Sequence, residues 1–274
     1  MKKLRGLTYL LGSNFGRWLH RRRNLPIVSG FNKFLVSIRR GYTNYDNFDA
    51  EQNGEYALLK RLSGLELKTF FDVGANQGDW SLKIRELFPE SQIHCFEIAE
   101  PTCDKLIKRL GDKFIINKFG LGDADATVTL KYSKDVDVLT SAIDLFSKVP
   151  FSEITGKIIR GDDYAQKNMV PFIDFLKIDV EGMEGHVLRG FCNLLTEHKV
   201  RLIQFEYGHI SVTSHFLLKD FFELLQKHGF QIGKIYSDYV EWFEYDFSRE
   251  DFSGSNYIAV QKTDLRAIEA LTHS

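Results

Sequence analysis

Phe71-Asp72-Val73-Gly74-Ala75-Asn76-Gln77-Gly78-Asp79 is the stretch that decides the fold. Thr69 and Phe70 precede it, so a short apolar run leads into a glycine-punctuated turn. Beyond the turn, Trp80, Ile84, Leu87 and Phe88 recur at helical spacing, and Pro89 helps end the helix. A strand that enters a glycine turn and opens a helix is the first half of a β-α-β unit. Gly74 lets backbone approach a ligand closely, and Gly78 permits tight entry into the helix. The G-x-x-x-G spacing is not the G-x-G-x-x-G of dinucleotide binders, and no G-K-[ST] follows as in a P-loop. A ligand without phosphate, carrying an amino acid and a nucleoside, suits the acidic Asp72 better.

The same alternation extends outward. Ala50 to Leu62 reads as a helix, Gln92 to Phe96 as a strand, the segment from Pro101 to Gly111 as a helix, and Phe114 to Asn117 as a third strand. Thr127 to Tyr132 alternates apolar and polar residues like an exposed strand. Residues 133–153 read as a long loop, and Ile158 and Ile159 as a short strand. Phe172 to Ile178 is a buried strand, Met183 to Leu195 a helix, and Val200 to Phe205 another strand. Ser214 is predicted to cap a helix that Gly229 ends, with final strands at Gln231 to Tyr236 and Tyr257 to Gln261. Repeated β-α-β units predict a mainly parallel sheet with helices on both faces, whose ligands sit at the carboxyl ends of the strands.

Those strand ends carry the polar residues. Glu97 follows the second strand, 23 residues after Gly74, where a carboxylate accepts the hydrogens of ribose hydroxyls. Gly120-Leu121-Gly122-Asp123 after the third strand offers backbone walls for a base. Phe175-Leu176-Lys177-Ile178-Asp179-Val180-Glu181-Gly182-Met183-Glu184-Gly185 puts acids at the end of a buried strand. Lys177 and Asp179 point to one face. A charge inside an apolar strand needs a partner, and Glu206 or Glu184 is the expected partner of Lys177.

The order F-D-V-G-A-N-x-G, F-E, G-L-G-D, then F-L-K-I-D-V-E-G-x-E followed by L-R-G-F closely resembles the FkbM family of S-adenosylmethionine-dependent methyltransferases. The resemblance covers roughly residues 50–262. Gly161-Asp162-Asp163-Tyr164 resembles the family's T-L-D-D block with Gly161 in place of Leu, and Ile98-Ala99-Glu100-Pro101 lacks the first Pro of E-P-x-P. The resemblance implies an α/β, Rossmann-like three-layer sandwich around a mainly parallel seven-stranded sheet with one antiparallel strand. It implies S-adenosyl-L-methionine as cofactor, lying across Gly74, Gly78 and Glu97. Asp123 or its neighbouring backbone would lie near the adenine, and Asp72 and Asp179 near the methionine end. The full cofactor set read this way is Asp72, Gly74, Asn76, Gly78, Glu97, Gly122, Asp123 and Asp179. The implied reaction is O-methylation of a hydroxyl on a sugar, glycan or other small natural product. The alternative is a non-catalytic, partner-binding protein that retains the fold. A nicotinamide dehydrogenase would share the sheet but not the glycine spacing.

An alcohol is a poor nucleophile, so methyl transfer to it benefits from a general base. Asp179, Glu181, Glu206 and His209 are the candidates at the carboxyl edge, and Asp179, Glu181 and His209 are read as the catalytic set. The same side chains would suit magnesium or manganese, but no metal is assigned. The aromatic tail from Tyr236 to Phe247 is either an acceptor lid or a packed hairpin.

Composition sets the outer bounds. The chain has 274 residues, 43% hydrophobic and 27% charged, ordinary for a globular protein. Its three cysteines, Cys95, Cys103 and Cys192, lack metal spacing and point to a reducing compartment. No apolar run is long enough for a transmembrane helix. The net charge is −1, yet residues 1–40 hold ten basic residues and no acid, leaving 26 basic against 37 acidic residues in the rest. This divides the chain into a basic helical arm (1–48), a methyltransferase-like domain (49–264) and a short tail (265–274). Within the arm, Leu4, Leu7, Leu11, Phe15 and Trp18 form one apolar stripe beside basic residues. The arm reads either as a helix packed on the body or as a peripheral contact with an anionic membrane. The acidic body argues against nucleic acid. The expected location is the cytoplasm, with the inner face of the membrane as the alternative. The sequence leaves the oligomeric state open.

Overall fold

The computed structural model describes residues 12–45, 47–133, 150–254 and 256–272. They divide into two units, with the boundary after Tyr45.

The first unit is helical. Residues 12–20 form one helix and Pro26–Tyr42 a second, with Pro26 at its first turn, where a missing N–H costs nothing. Phe15 stacks on Trp18 at 5.8 Å between ring centroids and meets Phe31 edge-on at 6.1 Å, so the two helices pack on each other. Leu4, Leu7 and Leu11 of the predicted stripe lie outside the described residues.

The second unit is built on a sheet of eight strands in the order β10-β9-β11-β8-β7-β1-β2-β3. These are β1 (Thr69–Val73), β2 (Gln92–Phe96), β3 (Ile115–Asn117), β7 (Ile173–Ile178), β8 (Val200–Glu206), β9 (Phe230–Ile235), β10 (Val240–Trp242) and β11 (Asn256–Gln261). β3, β2, β1, β7 and β8 run parallel. β11 is antiparallel to both β8 and β9, and β10 is antiparallel to β9. The sheet therefore has one strand and one reversal more than the resemblance implied. Both come from Val240–Trp242, where the aromatic tail folds back as a short edge strand.

Two buried clusters cover the two faces, which makes the unit a three-layer sandwich. On one face Phe71, Val73, Phe96, Ile178, Ile203 and Phe205 meet the helices Glu184–Gly190 and Leu218–Gln226. On the other, Phe70, Ile93, Phe175 and Leu202 meet Glu55–Leu62, Asp79–Leu87 and Glu100–Leu110. Alternate residues of β1 serve opposite clusters, and this is why it reads as a continuous apolar run. The helix Leu265–Leu271 buries Ala267 and Leu271 in the second cluster, and Asp264 caps it by accepting the Ala267 N–H.

A separate three-stranded sheet, β4-β6-β5, joins β4 (Gly120–Gly122), β5 (Ala126–Tyr132) and β6 (Ser152–Arg160). The strand read at Ile158 and Ile159 is thus nine residues long and starts inside the segment read as a loop. Ser152, Glu153, Thr155 and Lys157 are polar, and a seven-pair antiparallel ladder with β5 supplies the order that side chains alone do not announce. The rest of that loop, residues 134–149, lies outside the described residues.

Two helix readings change as well. Met183 to Leu195 breaks into Glu184–Gly190 and Cys192–Thr196. The buried Asp162 carboxylate caps the second piece by accepting the Asn193 and Leu194 N–H groups at 3.0 and 3.1 Å. The helix before Gly229 starts at Leu218 rather than at Ser214. Asp220 caps it by accepting the Leu217 N–H at 2.7 Å, while Ser214 ends a separate short helix.

Candidate functional site

The turn after β1 holds three positive φ angles within five residues: Gly74 (+84°), Asn76 (+47°) and Gly78 (+85°). At Gly74 a Cβ would lie 1.8 Å from the Asp179 carbonyl oxygen. The close approach that Gly74 permits is therefore to the end of β7. The Gly74 and Ala75 N–H groups both donate to the Phe96 carbonyl, at 3.0 and 2.9 Å, and the Asp179 N–H donates to the Val73 carbonyl at 3.0 Å. The carboxyl ends of β1, β2 and β7 are fastened to one another through backbone.

Glu97 closes this end. Its carboxylate accepts the Asn76 N–H at 3.0 Å and the Ala99 N–H at 2.8 Å. Burial raises its pKa to about 7, against the lowering effect of those N–H groups. The neighbouring Ile98 side chain lies against Gly120, which brings β4 to the same edge. Gly122 ends β4. The Asp123 carboxylate beyond it lies 2.8 Å from His186 Nδ1 and 3.5 Å from Arg189 Nε. Partial burial works against its charge, but His186 and Arg189 hold it below the usual carboxylate range.

Asp72 does not open onto the edge. It is fully buried, its Oδ2 accepts the Ser81 hydroxyl at 2.7 Å, and its Oδ1 has no hydrogen-bond partner. Lys177 Nζ lies 3.8 Å from that Oδ1 and donates to Asp179 Oδ2 at 2.9 Å. The Lys177 ion pair thus forms with Asp179 and Asp72, not with Glu206 or Glu184. The register explains it: Asp72 sits opposite Lys177 on the neighbouring strand, and Asp179 follows on the same face. Burial opposes the Lys177 charge, but the two aspartates outweigh it and raise its pKa.

Glu184 is committed to backbone. It accepts the Val180 and Gly182 N–H groups, each at 3.1 Å, and so shapes the turn on which Glu181 sits at φ +52°. Burial raises Glu184 to about 7. Burial, Asp179 and Glu184 raise Glu181 to about 8. Glu206, at the end of β8, is pushed well above the carboxylate range by burial and by Asp179, Glu181 and Glu184. Glu181, Glu184 and Glu206 thus gather near Asp179, the carboxylate that Lys177 meets. His209 lies beyond them on the turn after β8 and is exposed. Among the described residues, no three His, Cys, Asp or Glu side chains gather as a metal site.

One element beside the site carries no local signal. Glu55 accepts Gln204 Nε2 at 2.8 Å, Asn256 Nδ2 at 2.8 Å and Asn53 Nδ2 at 2.7 Å. Gln204 lies opposite Lys177 in the β7–β8 register, so this clasp continues the polar row Asp72–Lys177 across the sheet. Conversely, the Gly161-Asp162-Asp163-Tyr164 block is structural here. The Phe191 ring fills the place of a Cβ on Gly161, 2.7 Å away. Asp162 caps a helix, and the Tyr164 hydroxyl meets His94 Nδ1 at 2.8 Å. Burial lowers His94 to about 4, so it is neutral at neutral pH.

A family model described as the methyltransferase FkbM domain matches residues 72–232. No curated protein matches the sequence. Among solved structures, the chain is similar to an FkbM methyltransferase from Methylobacillus flagellatus, with 16% identity and a TM-score of 0.48 over 76% of this chain and 48% of that one. It thus spans about half the length of that relative. It is also similar to a precorrin-6y C5,15-methyltransferase from Geobacter metallireducens, with 12% identity, 76% and 86% coverage and a TM-score of 0.41. Aeropyrum pernix fibrillarin, solved with S-adenosyl-L-methionine, gives 14% identity, 76% coverage of each chain and a TM-score of 0.41. Likenesses this distant assign no substrate and no residue role.

Proposed function

The chain belongs to the FkbM methyltransferase family, and from that premise we propose that it methylates a hydroxyl oxygen on a sugar or another small polyhydroxylated acceptor. Its cofactor is S-adenosylmethionine. The residues present suit that group: a glycine turn closed by a buried acid at one strand end, and an excess of carboxyl groups, fitted to a cation, at the next. When bound, the cofactor supplies an electrophilic methyl group on a positively charged sulfur.

The chain's own residues then divide the work. Glu97 receives the ribose hydroxyls, held in place by the Asn76 and Ala99 N–H groups. Gly74, Asn76 and Gly78 shape the turn beside it. Gly122 and the backbone at Asp123 wall the base. Asp179 lines the methionine end, and the buried Asp72 acts through Lys177, whose charge it helps to hold. Glu181, once ionised beside the positive charge that the bound cofactor would bring, would accept the one proton that the acceptor hydroxyl gives up, with Glu206 next to it as the alternative acceptor. A carboxyl group whose affinity for a proton is raised is better matched to that task than an ordinary surface carboxylate. His209, on its exposed turn, contacts the acceptor.

The observation that carries this reading is the pairing of Glu97, over the first turn, with the carboxyl groups gathered near Asp179. Calorimetric titration with S-adenosylhomocysteine, with NAD as control, tests the cofactor side. Micromolar affinity for the first alone supports the reading, and binding of neither moves the protein to the partner-binding alternative. Incubation with S-adenosylmethionine and a panel of sugars, read by mass spectrometry, tests the acceptor side. Methylation only of amines or carboxylates would overturn the hydroxyl assignment.

A further inference from the structure

The methyltransferase reading leaves residues 12–45 unused, although they form a unit of their own. In the helix Pro26–Tyr42, Ile27, Phe31, Phe34, Leu35, Ile38 and Tyr42 recur every three or four residues, which places them on one arc of ~100°. All six are exposed, Ile27 at 80%, Phe34 at 60% and Tyr42 at 84%. Phe15 and Trp18, packed beside Phe31, stay about half exposed and extend the apolar surface. A stripe this large on a soluble helix marks a docking surface.

The charge around the stripe names its occupant. Residues 12–45 contain Arg17, Arg21, Arg22, Arg23, Lys33, Arg39 and Arg40 and no acid. Arg21, Arg22 and Arg23 stand together where the first helix gives way to the second, and Arg39 and Arg40 lie in the last turn of the second. Arg22 also covers the Trp18 ring at 4.7 Å. An apolar arc with an aromatic at one end, Arg39 at its border and Lys33 and Arg40 on the opposite polar face is the pattern of a helix lying in a bilayer interface. Among the described residues, no helix is long and apolar enough to cross a membrane. We propose that residues 12–45 dock the protein on the surface of an anionic lipid bilayer, with the Ile27–Tyr42 stripe among the outer acyl segments and the arginines at the lipid phosphates. A duplex nucleic acid would satisfy the arginines but leave the stripe in water, and a second copy of the chain would cover the stripe but oppose arginine to arginine.

The test is co-sedimentation of the full chain with vesicles of phosphatidylcholine alone or mixed with phosphatidylglycerol. The expected result is at least tenfold tighter partition onto the phosphatidylglycerol vesicles, fading with salt. Arg21→Ser, Arg22→Ser and Arg23→Ser together should weaken it about a hundredfold, and Phe34→Glu with Ile38→Glu should abolish it. Both variants should bind S-adenosylhomocysteine as the parent does, and their melting curves report separately that they fold. Equal partition onto both vesicle types, or onto neither, overturns the proposal. So does a dimer in light scattering that Phe34→Glu with Ile38→Glu splits, which would assign the stripe to a second copy. Tighter binding to a DNA duplex than to vesicles would assign the arginines to nucleic acid and overturn it as well.

Discussion

The two halves of the carboxyl edge are built on opposite electrostatic plans. At the β1–β2 end, the one acid, Glu97, is met by backbone N–H groups from Asn76 and Ala99. Peptide dipoles offset part of the cost of burying it, and its pKa still rises only to about 7. At the β7–β8 end, the buried Lys177 pairs with Asp179 and Asp72, while Glu181, Glu184 and Glu206 crowd Asp179. Ionised together they would carry more negative charge than the protein balances there, and burial with mutual repulsion raises Glu181, Glu184 and Glu206 so that they hold on to protons. In one half backbone N–H groups meet the acid, while in the other the acids crowd one another and are suited to a bound cation.

The most severe way to break this division is at the joint between the halves. Gly74→Ala forces a Cβ into the Asp179 carbonyl at a positive φ. The expected loss is on the order of 5 kcal/mol, read as a collapse of the urea midpoint. Next is Lys177→Met, which strips the cation from Asp72 and Asp179 and should cost about 3–4 kcal/mol. Asp72→Asn in the same chain should recover part of that loss. If it does not, the lysine is not there to hold Asp72. Glu97→Ala orphans two N–H groups and should cost about 1–3 kcal/mol. It should also weaken S-adenosylhomocysteine at least tenfold, and unchanged affinity would remove Glu97 from the ribose.

The mildest test sharpens the electrostatic side. Glu97 and Glu184, at about 7, and Glu181, at about 8, hold protons in the folded state that the unfolded chain releases near 4.5. The folded protein therefore binds more protons through this window, and each group lowers stability as pH rises from 4.5 to its folded value. His94 has the opposite sign: it is lowered to about 4, so stability rises with pH between 4 and 6.5. Above 6.5 only the carboxyl groups act, and the melting temperature should fall by a few degrees between pH 6.5 and 8. Glu181→Gln should flatten that fall, and a melting temperature that rises across the interval contradicts the assignment.

The β1–β2 half was legible because its information is local. Glycines in one turn and a glutamate at the next strand end are readable as spacing, and the backbone they impose is the one found. The β7–β8 half was legible in composition but not in pairing. The acids were named, yet Lys177 was given the wrong partners, because cross-strand register decides between Asp72 and Glu206 and register is not a local property. The Glu55 clasp was invisible for the same reason, its members lying on three separate segments. β6 was read too short because polar residues dominate its first half, and β10 is the return strand of the hairpin that stood as one of two readings of the aromatic tail.

The clasp also has a consequence in time. Glu55 takes one hydrogen bond from a residue 149 positions later and another from a residue 201 positions later. During synthesis the first helix of the domain must therefore wait for nearly the whole chain to leave the ribosome before its buried carboxylate is satisfied. Contacts this distant in sequence slow folding, and until they close Asn53 is the one clasp member within reach of Glu55 in its own segment. The last polar connection beside the site is thus made only after the final strand, β11, has emerged. A truncated product would display a glycine turn and a full set of acids on a sheet still missing the strand that locks its first helix.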